Sequence, residues 1–368
     1  ESEFGPDFLV TPISPATSPT DARVDCGLAG TVMRFLPPVA ALREGIVEFD
    51  GDLAARRRPM KTMVEALTQL GVAVDATHNG LPLKLASPAH LTGNTVTIDA
   101  SSSSQFVSGL LLCAARMPEG LTVIHRGERL PSLPHIDMTI EVLHNRGVVV
   151  ETPETGVWSV KASPLKALDV EIEPDLSNAA PFLAAPLITG GQVTIHGWPG
   201  ATTQVGADVP RLLEAFGATV SFAPGSATID GGVGWLSGGS IAGVDLDLSH
   251  AGELAPTLVT LATLATSPSR FRGIGHLRGH ETDRLHALVS NITALGGTAV
   301  EETDGITVTP APLDGGVWKS FEDHRMATSG ALLGLAVRGV VVDDIECTHK
   351  TLPEFEQLWA NLVGSALS

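Results

Sequence analysis

The chain has 368 residues, room for two domains, and its 43% hydrophobic against 17% charged content excludes a disordered chain. Lys and Arg total 23 against 41 Asp and Glu, and the net charge of −18 repels phosphate backbones and anionic lipid, so neither nucleic acid nor membrane is expected as a partner. An anionic ligand would have to be held by a few locally concentrated cations.

In chain order, the first residues, ESEFGPDFLVTP, read as the closing hairpin of a unit whose helix is absent, so the chain is expected to start partway through a repeat; an ordinary β-arm is the alternative. CGLAGTVMRF then places Gly27, Gly30 and Thr31 ahead of an apolar helix, where backbone can approach an anion closely. Arg58 precedes Pro59, a residue suited to the first helical position. Met60, Met63, Leu67 and Leu70 follow at helical spacing and end at Gly71, whose freedom suits a left-handed C-cap. DASSSSQF sets Ser101 to Ser104 and Gln105 at the head of another helix, offering hydroxyls and an amide to a polyol or phosphate.

The phrase of helix, glycine and β-hairpin recurs at Gly147, Gly217 and Gly296, with a further helix reaching Gly364, a repeat of roughly 75 residues. An α+β architecture built by duplication is therefore expected. Arg284 in HETDRL, Arg325 in DHRMA and Lys350 in KTLPEF join Arg58 just before or at predicted helix starts. A cation there is unfavourable by about 0.3–1 kcal/mol unless an anion is bound, so the four together suggest an anion site. The competing explanation is local pairing, as of Arg325 with Glu322 or Asp323. Glu253, in the apolar SHAGELAPTL, is a carboxylate whose pKa burial would raise, and Glu281 lies three residues before Arg284. His276 and His280 are spaced four apart beside Glu281, but Gly279 interrupts the helix a zinc site would need, and no metal is expected. No Walker A or dinucleotide fingerprint occurs. Cys26, Cys113 and Cys347 are scattered and odd in number, with no CxxC pair, which reads as a reduced cytoplasmic protein.

GLAGTVMRF, RRRP, SSSQF, LPSLPHIDMT, HETDRL, DHRMA and KTLPEF, in this order from about Val24 to Leu362, resemble the 5-enolpyruvylshikimate-3-phosphate synthases of the enolpyruvyl transferase family. The resemblance implies a two-domain inside-out α/β barrel of repeated βαβαββ units, one of them incomplete at the N-terminus, divided into 1–173 and 174–368. It implies transfer of the enolpyruvyl group of phosphoenolpyruvate to the 5-hydroxyl of shikimate 3-phosphate in aromatic amino-acid biosynthesis, by a monomer with no metal or organic cofactor. Arg58, Arg284, Arg325 and Lys350 resemble the phosphoenolpyruvate ligands, with Gly30 allowing close approach. Ser103, Ser104, Gln105 and Ser132 resemble the shikimate 3-phosphate ligands, Gln105 touching both substrates. Glu253 resembles the base for the 5-hydroxyl, Glu281 the residue moving protons at the enolpyruvyl methylene, and His324 lies beside the reacting centre.

Four positions depart from the family pattern. Leu28 stands where Asn is frequent, His135 where Tyr is frequent, Glu253 where Asp is usual, and His280 where Lys is common, the last expected to donate to the shikimate phosphate with a pH-dependent charge. The early G-S-K-S-x-T-N-R motif is missing, so an inactive fragment is one alternative reading. UDP-N-acetylglucosamine enolpyruvyl transferase is the other, although its loop cysteine has no counterpart, Cys113 falling within an apolar helix.

Overall fold

Alternating apolar residues and glycine-capped helices build one βαβαββ pattern repeatedly in the computed structural model, which describes residues 21–76 and 79–366. The hairpin expected over residues 1–12 lies outside the described residues. The first unit runs β1 (Ala22–Asp25), α1 (Gly30–Ala41), β2 (Gly45–Asp50), α2 (Leu53–Arg56), α3 (Lys61–Gln69), β3 (Ala73–Ala76) and β4 (Leu83–Ser87). Its sheet has the order β1-β2-β4-β3, with β1 and β2 parallel and the other pairs antiparallel. A parallel pair needs a crossover, which α1 supplies, whereas the closing hairpin needs only a turn.

The second unit repeats this with β5 (Thr95–Ile98), α4 (Gln105–Ala114), β6 (Leu121–His125), α5 (Leu133–Asn145), β7 (Val150–Glu151) and β8 (Val157–Val160), in the order β5-β6-β8-β7. Residues 161–175 contain neither helix nor strand. The third unit, α6 (Ala180–Thr189), β9 (Gln192–His196), α7 (Val209–Ala215), β10 (Thr219–Ala223) and β11 (Ser226–Asp230), has three strands. The fourth regains four: β12 (Asp245–Asp247), α8 (Ala255–Ala262), β13 (Ser269–Arg272), α9 (Arg284–Ala294), β14 (Thr298–Glu302) and β15 (Gly305–Thr309), ordered β12-β13-β15-β14. Last come β16 (Val317–Trp318), α10 (His324–Gly334), β17 (Val341–Val342) and α11 (Phe355–Ala366), with β16 and β17 parallel.

Gly71, Gly147, Gly217 and Gly296 follow their helices at φ of +86°, +79°, +109° and +85°, the left-handed turn expected of them. Three expectations are corrected. Gly364 sits within α11 and ends nothing. Pro59 precedes α3, which begins at Lys61 after Met60. Lys350 closes a 3₁₀ turn, Glu346–Lys350, five residues ahead of α11, because Pro353 separates the two.

Two apolar cores form, one spanning Cys26 to Val160 and the other Leu176 to Val337. Close packing in the first half is set partly by Gly109, where a Cβ would stand 2.4 Å from the Arg34 carbonyl oxygen; its absence lets α1 and α4 approach backbone to backbone. The halves meet through contacts of the bidentate kind, as between Arg129 and Asp304 at 2.6 and 3.1 Å.

Candidate active site

Cations and carboxylates from distant motifs of the two halves form one connected network. Arg284, the first residue of α9, is 2% exposed. Its Nε and Nη2 donate to the two oxygens of Asp323 at 2.7 and 3.1 Å, and Nη2 also reaches Glu281 at 3.1 Å. Asp323 is fully buried and caps α10 by accepting from the Arg325 backbone N–H at 2.8 Å. Asp323 thus holds the Arg284 guanidinium and caps the helix that Arg325 enters. Lys350 Nζ donates to the other oxygen of Glu281 at 2.7 Å, and approaches the Leu28 carbonyl of the opposite half at 3.5 Å.

From the first half, buried Arg58 directs its Nη1 at that same Leu28 carbonyl from 3.4 Å. A Cβ on Gly30 would lie 2.7 Å from Arg58 Nη2, so the glycine makes room for this guanidinium as well as for any ligand. Arg325 donates to the Ser177 carbonyl at 2.9 Å. Among the described residues neither Arg58 nor Arg325 makes an ion pair. The pairing explanation therefore holds for Arg284 and Lys350 and fails for Arg325, whose expected partner Asp323 is taken up by Arg284.

Gln105 begins α4, its backbone N–H bonded to Ser103 Oγ at 3.3 Å, with Ser104 buried beside it. Its side-chain oxygen accepts from Arg34 Nη1 at 2.7 Å. Ser132 takes left-handed backbone, φ +53°, and its N–H donates to the Ser249 carbonyl of the second half at 3.3 Å. Three residues on, His135 Nε2 lies 3.1 Å from Glu253 Oε2, while Ser177 Oγ donates to Glu253 Oε1 at 3.0 Å.

The charge states follow from these contacts. Burial would raise the Glu253 pKa, as the sequence suggested, but His135, Arg325 and Ser177 together outweigh it and hold the carboxyl down at about 2. Burial likewise opposes ionisation of Glu281, and Arg284, Lys350 and Arg58 hold it well below the usual range. The expectation of a pH-dependent charge at His280 is also corrected: burial, reinforced by Arg284, keeps it neutral. Arg284 Nη1 lies 3.3 Å from His280 Nδ1. A guanidinium can only donate, so Nδ1 accepts and Nε2 carries the proton, leaving a neutral donor. His324 is buried and neutral, its pKa pushed down to about 3 by burial and by Arg325. Arg34 is pressed down to about 9 by burial and Arg58 and stays cationic.

The network joins Glu281, Arg284 and Lys350 directly, Arg325 through its backbone N–H on Asp323, and Arg58 through the Leu28 carbonyl. Gln105, with Ser103 and Ser104 beside it, and Ser132 belong to the first half. His280 enters through Arg284, and His324 stands next to Asp323 with 3.9 Å between Nδ1 and Oδ1, too far for a hydrogen bond. Sequence reasoning missed Arg34, Ser177 and the orienting role of Asp323. Arg34 left a signal, as a lone charge within the apolar run GTVMRFLPPVAA.

Two halves built from one repeated unit and joined at a network of cations and carboxylates define an enolpyruvyl transferase fold. The EPSP synthase of Acinetobacter baumannii shares that fold at a TM-score of 0.71 and 23% identity, over 92% of this chain and 78% of that one. The enolpyruvyl transferase NikO of Streptomyces tendae is similar at a TM-score of 0.68 and 20% identity, over 89% and 75%. Residues 7–359 match the family EPSP synthase (3-phosphoshikimate 1-carboxyvinyltransferase). A 3-phosphoshikimate 1-carboxyvinyltransferase of Kocuria rhizophila is 52% identical over 98% of this chain and 81% of its own length. The chain belongs to the EPSP synthase family.

Proposed function

We infer that this cleft transfers the enolpyruvyl group of phosphoenolpyruvate to the 5-hydroxyl of shikimate 3-phosphate and releases phosphate, the reaction of its family. The observation that carries the assignment of roles is the Lys350–Glu281–Arg284–Asp323 chain, in which one carboxylate is gripped by two cations at 2.7 and 3.1 Å. Arg58, Arg325 and Lys350 bind the phosphate and carboxylate of phosphoenolpyruvate, with Arg284 behind them. Ser103, Ser104, Gln105, Ser132 and the His280 N–H hold shikimate 3-phosphate.

Glu253 accepts the proton of the 5-hydroxyl as its oxygen attacks C2 of phosphoenolpyruvate. C3 is protonated in the same addition, giving a tetrahedral ketal; loss of a C3 proton and of phosphate then yields the enol ether. Glu281 moves the C3 protons. When the substrate's anionic groups draw Arg284 and Lys350, Glu281 loses part of the positive field holding it ionised, its pKa rises, and it can carry the proton. Lys350, 2.7 Å away, is the adjoining proton source. His324, neutral beside the centre, adds a donor without a charge. Holding two repelling anions in a dry cationic cleft is itself worth several kcal/mol of barrier, about 2.7–4 for a single well-aimed donor.

A test is deuterium exchange into the C3 methylene of phosphoenolpyruvate in heavy water with shikimate 3-phosphate present. The native protein should exchange, and Glu281→Gln should not; exchange by that variant at the native rate would refute the role. UDP-N-acetylglucosamine as acceptor is disfavoured by Cys113, which is buried in α4 with its thiol pushed up to about 12 by burial and is no nucleophile. No described helix is long and apolar enough to cross a membrane. We further infer a cytoplasmic monomer divided near residue 173, since the three cysteines are free thiols and one chain supplies both walls of the cleft.

A further inference from the structure

We propose that His135 is a positioning residue for Glu253: reaching from the first half to a carboxylate of the second, it orients the base for the acceptor hydroxyl, and does so only while the halves are together. The inference rests on the reading of Glu253 as that base. Glu253 lies in the 3₁₀ turn Gly252–Leu254 just before α8, its side chain 15% exposed. A carboxylate can only accept, so at 3.1 Å the proton between Glu253 and His135 sits on Nε2 of the ring. Ser177 Oγ donates to the other oxygen at 3.0 Å. One donor on each oxygen fixes the plane of the group, and the two donors come from opposite halves.

The contact is part of a built joint. Ser132 and His135 lie at the head of α5, and Ser249 and Glu253 precede α8. Ser132 N–H to Ser249 carbonyl and His135 to Glu253 therefore tie the same two segments at two points. The His135 N–H donates back to the Ser132 carbonyl at 3.0 Å, which holds the two contact residues in one turn. The groups facing Glu253 are His135 from α5, Arg325 from α10, Arg284 from α9 and His276 from the turn Gly275–Gly279, with Ser177 uncharged. Of these only His135 and Ser177 hydrogen-bond to it among the described residues. Burial lowers the His135 pKa, but Glu253 more than reverses this and raises it.

His135→Phe removes donor and charge, and His135→Gln keeps an N–H in place of Nε2. The phenylalanine variant is expected to lose at least about 10-fold in kcat with the KM for phosphoenolpyruvate within about threefold, and the acid limb of its kcat profile should move up by at least about one pH unit. The glutamine variant should regain most of kcat while keeping part of the shift in the acid limb. If phenylalanine disturbs folding, His135→Ala serves, since the His135 side chain is 33% exposed. Glu253→Gln is assayed alongside. Loss of turnover there, with a His135→Phe or →Ala variant like the native protein in kcat and acid limb, would overturn the positioning role alone. Native turnover by Glu253→Gln would overturn the base assignment and with it this inference.

Discussion

Arg34 Nη1 donates to Gln105 Oε1 across 2.7 Å, joining residues 71 apart in sequence and fixing which way the Gln105 amide faces. The guanidinium lies 5.0 Å over the Phe106 ring and is 3% exposed. Because the oxygen is engaged, the Gln105 NH₂ is the end free to donate to a substrate.

Arg34→Met keeps volume and removes the donor. Gln105 is then free to turn its oxygen toward anionic substrates, and a buried hydrogen bond to a charged group is lost, an effect of about 1.5–3 kcal/mol. We expect KM values for both substrates to rise about 10-fold or more with a smaller change in kcat. Unchanged KM values would show that Gln105 does not depend on Arg34.

At Gly30 the added methyl of an alanine would meet Arg58 Nη2 at 2.7 Å, and the guanidinium has to shift. Gly30→Ala should therefore raise the KM for phosphoenolpyruvate at least about 10-fold while affinity for shikimate 3-phosphate, measured by calorimetry, stays within about threefold. Equal loss of both affinities would place the effect elsewhere in α1.

Glu281→Gln retains the shape of the Lys350 and Arg284 partner and removes the proton carrier. The expected result is a fall in kcat of at least about 100-fold with shikimate 3-phosphate affinity nearly intact. Turnover within about threefold of native would mean that protons at C3 travel another way.

Stability should fall on mild acidification because histidines are held neutral. His276 is pushed down to about 4, chiefly by burial and then by Arg129. A depressed pKa means the unfolded chain binds the proton first, so this contribution is complete above about pH 6.5 and lost as pH falls toward 4. Between pH 7 and 5 the difference amounts to about 2 kcal/mol for one such group. Urea unfolding of His276→Leu at both pH values should show a correspondingly smaller loss than the native protein. An identical loss would mean that His276 is protonated in the folded state.

Much of this was legible in the sequence because it is written in local chemistry. The glycines that end α3, α5, α7 and α9 must adopt positive φ, and apolar spacing marks the helices before them, so the repeat could be read directly. Arg284 and Arg325 could be placed at helix starts because HETDRL and DHRMA carry their own capping aspartates, Asp283 and Asp323. What stayed hidden depends on distance in space. Asp323 serves Arg284, 39 residues away, in preference to its neighbour Arg325. The low pKa of Glu253 comes largely from His135 in the other half, so the apolar residues around Glu253 gave the opposite sign. Gly364 failed for a plainer reason: glycine is tolerated inside a helix, and α11 simply continues through it.

The cationic site discharges phosphoenolpyruvate onto shikimate 3-phosphate, the acceptor of its family. The direct measurement is phosphate release from phosphoenolpyruvate by the protein, with shikimate 3-phosphate in one series and UDP-N-acetylglucosamine in the other. Release is expected with shikimate 3-phosphate and none above background with the nucleotide sugar. Release with UDP-N-acetylglucosamine alone would contradict it.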